Sequence, residues 1–361
     1  MTTPTAAKVV PTTRMRLTTE LGADFWNDSC ALPELREAVE GGATGATSNP
    51  VIVFTAIKAD PKTWMPVLDR LIEEHAEATE EDLAWMWIEA IGRQAAALLR
   101  PVYDATRGGK GFLSMQVNPK LYRDAGRMIE HGKRLAAVAP NVAVKCPLTK
   151  AGLRAAEELV AEGINVNATV SFTLPQAIAV AEAFERGLDR ARARGLDMHR
   201  LHPYVTLMVG RLDDLLQRVW NRDGISVDPG LLHWAGIAVF KKARAVFRER
   251  GYRGTLLAAA YRHHMHWSQL IGPGVVLSMP YMWWKRFNDS DVDVGPTLDR
   301  PVDPGIVDLL HRHFEDFRKA YDENGLSPDE FVHYGATVHT LNQFIGGYHD
   351  LLGLVRDRLL R

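Results

Sequence analysis

Cysteine is scarce in this chain, with Cys30 and Cys146 as the two examples among 361 residues. They lie far apart and form no metal-spaced pair, which argues against a disulfide framework and favours a reducing compartment. The first residues, 1–16, also lack the apolar core of a signal peptide. We therefore predict a cytoplasmic protein.

An excess of charge of either sign is also missing. Lys and Arg total 43 against 44 Asp and Glu, a formal net charge of −1, so no global field favours nucleic acid or an anionic membrane. The longest uncharged run, Trp267 to Trp284, is interrupted by Gly272-Pro273-Gly274 and by Pro280, which is typical of a loop and a buried strand. We predict no nucleic-acid partner and no membrane segment, so any anion must be bound by a local site.

The chain instead shows a regular alternation of short apolar, β-prone runs with longer amphipathic stretches. This alternation is typical of βα units around a parallel sheet. The predicted strands are Asp24 to Ser29, Gly45 to Ser48, Gly111 to Val117, Val142 to Cys146, Val166 to Ser171, Tyr204 to Val209, Leu256 to Tyr261 and Gly274 to Met279. Eight is the number that closes a barrel, so we predict an α/β fold of the (β/α)₈ TIM barrel type.

The domain organisation follows from the same alternation. We predict that residues 1–20 form a mobile segment and that residues 21–361 form a single barrel domain, a length that barrels reach as one unit. The helical pattern from Glu80 to Leu99 predicts additional helix between the second and third strands. The chain from Val302 onward is also helical in pattern and would wrap the barrel or form an oligomer contact.

The fourth strand, NVAVKCPLT, carries Lys145 after an apolar run. Working residues of such barrels lie at the C-terminal ends of the strands. Burial lowers the pKa of a lysine toward the neutral amine that attacks a carbonyl group. The alternative is a lysine that reaches the surface from the strand end, and the strand alone does not decide between the two.

Seven motifs follow one another along the chain: FWNDS, GATGATSNPVI, FLSMQVNPKLYRD, NVAVKCPLTKAGL, EGINVNATVSFTLPQAIAVAEAF, HPYVTLMVGRLDD and AAAYR. In that order and on those strands, they resemble the transaldolase family, particularly its longer bacterial members. The resemblance runs from about Leu21 to Arg262. It implies a TIM barrel enzyme in which a lysine forms a Schiff base with a ketose, without a metal or an organic cofactor.

The resemblance also implies a role for each matching residue. Lys145 corresponds to the Schiff-base lysine, and Asp28 corresponds to the general acid/base that acts on the hydroxyl next to the cleaved bond. Asn49 corresponds to an asparagine that hydrogen-bonds the substrate near the imine, and Thr169 and Thr206 correspond to residues that line the same pocket. The residues alone leave alternatives, because Asp is common at helix N-caps and Thr is common in strands.

Two arginines at neighbouring strand ends, Arg211 and Arg262, form a candidate oxyanion site. A guanidinium group offers a rigid donor fork that suits phosphate oxygens. The corresponding basic residues of the family hold the substrate phosphate. The alternative is that the two arginines form solvated ion pairs with Asp213 or Asp214.

The chain departs from the family pattern at Gln116, where transaldolases usually have an acidic residue that holds and polarises a catalytic water. Glutamine holds a water but cannot take its proton, and a glutamine here is similar to the fructose 6-phosphate aldolase branch of the superfamily. Met208 replaces an aromatic residue, and CPLT replaces the usual IPAT after the lysine. These changes affect the proton shuttle and the pocket wall more than the imine chemistry.

The stretch YRHHMHW is unusual for the family and contains His263, His264 and His266. A metal site is disfavoured because these spacings do not share one helix face and no acidic residue is adjacent. We predict instead that one of the histidines borders the substrate pocket beside Arg262. Three residues after the eighth strand would complete the rim or serve as packing: Trp283, Trp284 and Lys285.

The expected function is transfer of a dihydroxyacetone unit from a ketose phosphate to an aldose phosphate through Lys145. The first alternative is an aldolase, or a transaldolase-like enzyme of a side pathway with a different donor or acceptor. The second is a barrel that binds sugar phosphates without turnover, although a binder needs no buried amine. The expected partners are small sugar phosphates, and the protein would be a monomer or a homodimer.

Overall fold

The computed structural model describes residues 13–361. Its core is a closed barrel of eight parallel strands that neighbour one another in chain order, each strand pairing with the next and the last pairing with the first. The strands are β1 (Asp24–Asn27), β2 (Gly45–Thr47), β3 (Phe112–Gln116), β4 (Val142–Pro147), β5 (Val166–Thr169), β6 (Tyr204–Met208), β7 (Thr255–Ala259) and β8 (Val275–Met279). The predicted TIM barrel is confirmed, and each predicted strand overlaps an observed one.

The observed strands differ from the predicted ones mainly at their ends. The strands are buried on both faces, because one face lies in the barrel interior and the surrounding helices cover the other. Apolar residues therefore continue past the last hydrogen bond between strands, and the apolar run alone does not mark the strand end. β5 and β7 end before the turns at Val170 and Ala260, which have φ of +56° and +64°. Such angles are uncommon outside glycine, and for a β-branched residue they are a genuine outlier. The chain therefore turns sharply beside Thr169 and before Arg262.

Fifteen α-helices connect and surround the strands within residues 13–361. They are α1 (Arg14–Glu20), α2 (Leu32–Glu40), α3 (Pro50–Ala59), α4 (Pro61–Glu74), α5 (Glu80–Ala105), α6 (Ala125–Ala136), α7 (Lys150–Ala161), α8 (Leu174–Ala193), α9 (Val209–Asp223), α10 (Ala235–Arg250), α11 (Met265–Ser268), α12 (Tyr281–Asp289), α13 (Pro304–His313), α14 (Glu315–Tyr321) and α15 (Gly335–Leu359). Short 3₁₀ turns lie at Pro119–Leu121, Met198–Arg200, Pro229–Trp234 and Phe331–His333. Among these described helices, none is long and apolar enough to cross a membrane.

The connection between β2 and β3 contains three helices, α3, α4 and α5, as the helical pattern there predicts. A capping box at Thr79 and Asp82 starts α5, which satisfies the free N–H groups of its first turn. The indole N–H of Trp85 in α5 donates to the hydroxyl of Tyr348 in α15 at 3.0 Å. This buried contact ties the inserted helices to the C-terminal helix.

The C-terminal helix α15 lies against α3 beside the cavity at the carboxyl ends of the strands. A Cβ added at Gly347 would come within 2.6 Å of the Val51 side chain, so the two helices approach closely where a side chain is absent. Gln343 and Phe344 of α15 line the cavity described below. This region therefore packs along the barrel, and its predicted role in an oligomer contact stays a prediction.

The predicted mobile segment at residues 1–20 requires a correction. Residues 1–12 lie outside the described residues, but the following ones form helix α1, which begins with the hydroxyl of Thr13 capping its first turn. Met15 and Thr18 are buried, and the Thr18 hydroxyl accepts a hydrogen bond from the Trp267 indole at 2.9 Å. The apolar and hydroxyl side chains on one face of α1 therefore dock this helix onto the barrel.

Candidate active site

A cavity of about 190 Å³ opens at the carboxyl ends of the strands. It collects side chains that are far apart in sequence because parallel strands end at the same rim. Seven of the eight predicted site residues line it: Asp28, Asn49, Lys145, Thr169, Thr206, Arg211 and Arg262. The eighth, Gln116, lies beside Lys145 in the barrel interior and does not line the cavity.

Lys145 is 5% exposed and lies near the end of β4, so its side chain is held inside the barrel. Burial lowers the pKa of its amine; the charge of Asp28 opposes this change and the charge of Arg211 adds to it. A lower pKa gives a larger fraction of neutral amine, which is the nucleophilic form. The alternative of a lysine that reaches the surface does not fit this burial.

Asp28 follows β1, and its backbone N–H donates to the carbonyl of Met279 at 2.8 Å. Its carboxylate accepts a hydrogen bond from the hydroxyl of Thr47 at the end of β2. The helix-cap alternative fails, because α2 begins at Leu32 and its N-cap is Ala31, without a capping side chain. The carboxylate instead lines the cavity that Lys145 enters.

Asn49 is the N-cap of α3, where its side-chain oxygen accepts from the backbone N–H of Ile52 at 2.9 Å. Pro50 then occupies the first helical position, as the sequence predicts. The cap fixes the side-chain oxygen of Asn49 toward the helix. The amide N–H₂ group at the cavity remains a donor for a substrate hydroxyl.

Two threonines complete the cavity wall in different ways. The hydroxyl of Thr169 is buried and has no hydrogen-bond partner among the described residues. The hydroxyl of Thr206 donates to Asn167 at 2.6 Å, and the Asn167 amide donates to Ser114 at 3.0 Å. Thr169 is thus available to a ligand or a water, whereas Thr206 belongs to a polar network across the barrel interior. Asn167 was missed, although an Asn inside an apolar strand is itself a sign of an interior network.

Gln116 is the register partner of Lys145 on the neighbouring strand, and register partners point to the same face of a sheet. The side chain is 3% exposed. Neither its amide nitrogen nor its oxygen has a partner within residues 13–361. A buried amide in this condition needs a water or a ligand to satisfy it, which fits the predicted water-holding role.

Arg211 lies in the first turn of α9, and one guanidinium nitrogen donates to the side-chain oxygen of Gln343 at 2.6 Å. The guanidinium carbon lies 5.9 Å from the centre of the Phe344 ring. Burial and the nearby charge of Arg262 lower the pKa of Arg211 to about 10, so it remains a cation at neutral pH. Its buried Nε has no partner in the described chain, which leaves donor capacity for an anion. The contact with Gln343 was missed because nothing in the sequence links α15 to the sixth strand.

Arg262 is held differently. Its guanidinium forms a bidentate pair with Asp214, with Nη2 at 2.7 Å and Nε at 3.0 Å from the carboxylate. Its Nη1 donates to the carbonyls of Ala260 and Tyr261. The ion pair given as the alternative is therefore present for this arginine, and fewer of its five donors remain for a ligand. Gly210 is required beneath it, since an added Cβ would lie 2.1 Å from the Ala260 carbonyl oxygen.

The histidines after β7 lie behind Arg262 and do not line the cavity, so the predicted position at the pocket is corrected. Their acidic partner is Asp213, which is not adjacent to them in sequence because it lies on α9. One carboxylate oxygen of Asp213 is 2.9 Å from Nε2 of His266 and 3.2 Å from Nε2 of His263. Asp213 belongs to the LDD motif quoted above, but its contact with the histidines is formed only when the barrel brings α9 and the segment after β7 together.

The side chains of Asp213, His263 and His266 offer ligand atoms within 4.8 Å of one another, so a metal site must be considered. However, Nδ1 of His266 accepts the backbone N–H of Arg262 at 3.0 Å, which leaves the imidazole proton on Nε2, facing Asp213. Metal ligation through Nε2 would move this proton to Nδ1, against the Arg262 N–H. The arrangement fits a hydrogen-bonded brace for the Arg262 loop better than a metal site.

The residues after β8 are packing and surface groups. Trp284 is 3% exposed, and its indole donates to Asn27 at 3.0 Å. Lys285 pairs with Glu37 on α2. None of the predicted rim residues lines the cavity, because the helix α12 turns them toward α2 and the core.

A lysine amine buried in the cavity of a (β/α)₈ barrel, with a carboxylate in the same cavity, equips a protein to attack carbonyl compounds. The comparison with known families agrees with this class. The model of the family described as Transaldolase/Fructose-6-phosphate aldolase matches residues 25–326. The chain belongs to this family.

Individual relatives are similar over most of their length. A protein named Transaldolase 1 from Streptomyces avermitilis is 33% identical over 80% of this chain and 79% of the relative. A Transaldolase from Thiobacillus denitrificans is 33% identical over 80% and 87% of the two chains. A Transaldolase from Arthrobacter sp. is 29% identical over 96% and 98%. The family match ends before α15, so Gln343 and Phe344 belong to a part of the cavity that lies beyond it.

Proposed function

We propose that this protein is a transaldolase, which moves a dihydroxyacetone unit from a ketose phosphate to an aldose phosphate through a Schiff base on Lys145. The observation that carries the proposal is the buried Lys145 amine in one cavity with Asp28. Family membership supports sugar phosphates as substrates. Covalent capture divides a difficult carbon–carbon cleavage into smaller steps.

The steps follow from these two groups. The Lys145 amine adds to the C2 carbonyl of the ketose, and loss of water gives a protonated imine. Asp28 accepts the proton of the C4 hydroxyl, the C3–C4 bond breaks, and its electron pair moves into the imine to form an enamine. The aldehyde fragment leaves and an acceptor aldehyde enters. The enamine attacks it, Asp28 returns the proton to the new hydroxyl, and water hydrolyses the imine.

The surrounding side chains support this course. The Thr47 hydroxyl donates to Asp28 and keeps the carboxylate at the cavity wall. The Asn49 amide and the unpartnered Thr169 hydroxyl are placed to hold substrate hydroxyls. Arg211 has the larger donor capacity for the terminal phosphate, because the guanidinium group of Arg262 is already paired with Asp214.

An aldolase outcome is the second candidate, and Gln116 is the observation that favours it. Release of dihydroxyacetone needs protonation of the enamine, whereas transfer needs an acceptor aldehyde. Glutamine at this position is similar to the fructose 6-phosphate aldolase branch of the superfamily, and Gln116 cannot exchange a proton with a water held beside Lys145 as an acidic residue does. This change alters the balance between the two outcomes while keeping the imine.

A direct test combines trapping with product analysis. Purified protein is mixed with fructose 6-phosphate and borohydride, and its intact mass is measured; we expect a stable adduct. Without borohydride, erythrose 4-phosphate is added as the acceptor, and sedoheptulose 7-phosphate is the expected product. Release of free dihydroxyacetone instead would identify an aldolase, and the absence of any adduct would favour a barrel that binds without turnover.

Replacing Gln116 by Glu should increase transfer between fructose 6-phosphate and erythrose 4-phosphate, by about tenfold or more, since it adds a titratable group beside the water. The two side chains are nearly isosteric, so the fold should be kept. Steady-state transfer rates as a function of pH are the measurement, with Gln116→Met as a control that holds no water. If the wild-type rate already equals that of Gln116→Glu, the glutamine is a neutral replacement.

Replacing Arg211 by Gln should raise the KM for phosphorylated donors by about 10- to 100-fold and change kcat little, because charge-assisted hydrogen bonds to the phosphate are lost. Initial rates are compared for fructose 6-phosphate and for fructose. Arg222→Gln, at the far end of the same helix, is the matched control. Equal effects on both sugars would remove the phosphate role of Arg211.

We further propose that residues 21–361 act as one domain, with α15 as part of the active site, and that the protein works in the cytoplasm as a monomer or homodimer. Both cysteines are free and buried, which suits a reducing compartment. The near-zero net charge argues against a nucleic-acid partner.

A further inference from the structure

A second groove, of about 520 Å³, lies on the outside of the barrel, where α10 faces residues 298–302 and the nearby helices α13 and α14. Its lining shares no residue with the catalytic cavity. Ala238, Lys241, Ala245 and Arg248 follow one another along α10 at helical spacing and share one face. The two alanines leave room between the basic side chains.

The groove is strongly basic in a chain of nearly neutral charge. Its five basic residues are Lys241, Lys242, Arg244, Arg248 and Arg300. Asp299 is the only acidic residue in its lining within the described chain. Asp299 lies 3.2 Å from Arg248, and both side chains are 59% exposed, so this ion pair is weak and easily exchanged for another partner.

Lys241 places a buried ammonium group in the groove. Its Nζ donates to the carbonyls of Thr297 at 2.9 Å and Arg300 at 2.6 Å, and an ammonium has a third donor. Burial and the charge of Arg300 lower the pKa of Lys241 to about 8, against the opposing effect of Asp299. An anion beside this amine would favour its charged form.

Arg244 and Lys242 add donors that the protein does not fully use. One guanidinium nitrogen of Arg244 donates to the Pro273 carbonyl at 3.0 Å, but its buried Nε has no partner within residues 13–361. Nζ of Lys242 lies 3.9 Å from the centre of the Tyr321 ring. A buried N–H without an acceptor is costly, and an anion in the groove would satisfy it.

We propose that this groove binds a small molecule that carries two or more phosphate groups. Guanidinium and ammonium groups together are typical phosphate ligands. Lys241 and Arg248 lie two helical turns apart, roughly 10 Å along α10, so the basic side chains extend over a length that suits more than one phosphate group. The inference does not rest on the proposed function, because the groove and the catalytic cavity have separate linings.

The test uses full-length protein carrying Arg211→Gln, so that phosphate binding at the catalytic cavity is weakened. Sodium tripolyphosphate and glucose 1,6-bisphosphate are titrated separately by calorimetry; neither has a free carbonyl group, so neither forms an imine. We expect one saturable site that weakens with added salt. Adding Lys242→Gln and Arg244→Gln should lower its affinity by about tenfold or more.

The matched control adds Arg36→Gln and Arg93→Gln instead, which removes the same number of charges from exposed positions on α2 and α5. It should bind as the parent does. Lys242→Gln alone keeps the hydrogen bond from Arg244 to the Pro273 carbonyl. If the double change prevents folding, the affinity of this single variant is compared with that of the parent instead. A site for tripolyphosphate alone would identify a linear polyphosphate ligand, and a site for both probes a broader class. No binding of either probe, or an equal loss in the control, overturns the proposal.

Discussion

Lys145→Met is expected to abolish turnover, with activity lower by roughly 10⁴-fold or more, while the protein stays folded. Methionine cannot form an imine, and its apolar side chain suits a position that is 5% exposed. The borohydride adduct with fructose 6-phosphate should disappear from the intact mass. Thermal unfolding should show a melting temperature at or above that of the wild type. Lys145→Arg should be inactive too, because a guanidinium group stays protonated.

The matched control is Lys150→Met, which removes the next lysine along the chain. The side chain of Lys150 is 63% exposed and pairs with Asp329, so this variant should keep both the adduct and the activity. An adduct that persists in Lys145→Met would show that another lysine is the nucleophile.

The pH dependence of trapping gives a sharper signature of Lys145. Burial lowers the pKa of this amine, Asp28 raises it and Arg211 lowers it. The trapping rate should therefore rise with pH and level off at a lower pH than for an exposed lysine. Asp28→Asn should move this profile to lower pH, and Arg211→Gln should move it to higher pH. If neither substitution shifts the pH dependence of the trapping rate, the trapped amine is not that of Lys145.

The barrel itself was predictable because its strands are local features. Each strand is a short apolar run, and several strands are followed by a helix with its own start signal, such as Thr149 before α7 or Thr173 before α8. The carboxyl rim then follows from the parallel order, so Asp28 and Lys145 could be assigned to one cavity before any distance was known.

The parts that sequence reasoning missed all depend on contacts between distant segments. Gln343 reaches Arg211 across 132 positions of the chain, and Asp213 meets His266 across 53. No regular sequence spacing predicts either contact. α1 was misread for the same reason, since a short polar helix is stabilised by what it packs against, and here that is Trp267.

Asp28→Ala is expected to leave imine formation intact and to slow carbon–carbon cleavage by about a hundredfold or more. The carboxylate lies on the cavity wall and accepts a hydrogen bond from the Thr47 hydroxyl. Among the described residues that line the cavity with Lys145, Asp28 is the only acidic one. Asp28→Asn keeps the shape and the hydrogen bond from Thr47 but cannot take a proton. Both variants should therefore lose cleavage to a similar extent, which separates proton transfer from positioning.

The decisive measurement is the ratio of the two steps. Trapping by borohydride reports the imine, and rapid-quench release of glyceraldehyde 3-phosphate reports cleavage. Asp24→Asn is the matched control, because Asp24 begins the same strand at the opposite end and pairs with Lys110 at 2.6 Å; it should change neither step. If Asp28→Ala forms no imine at all, the aspartate acts earlier, by moving the proton that imine formation requires. If cleavage proceeds at the wild-type rate, the base is a group other than Asp28.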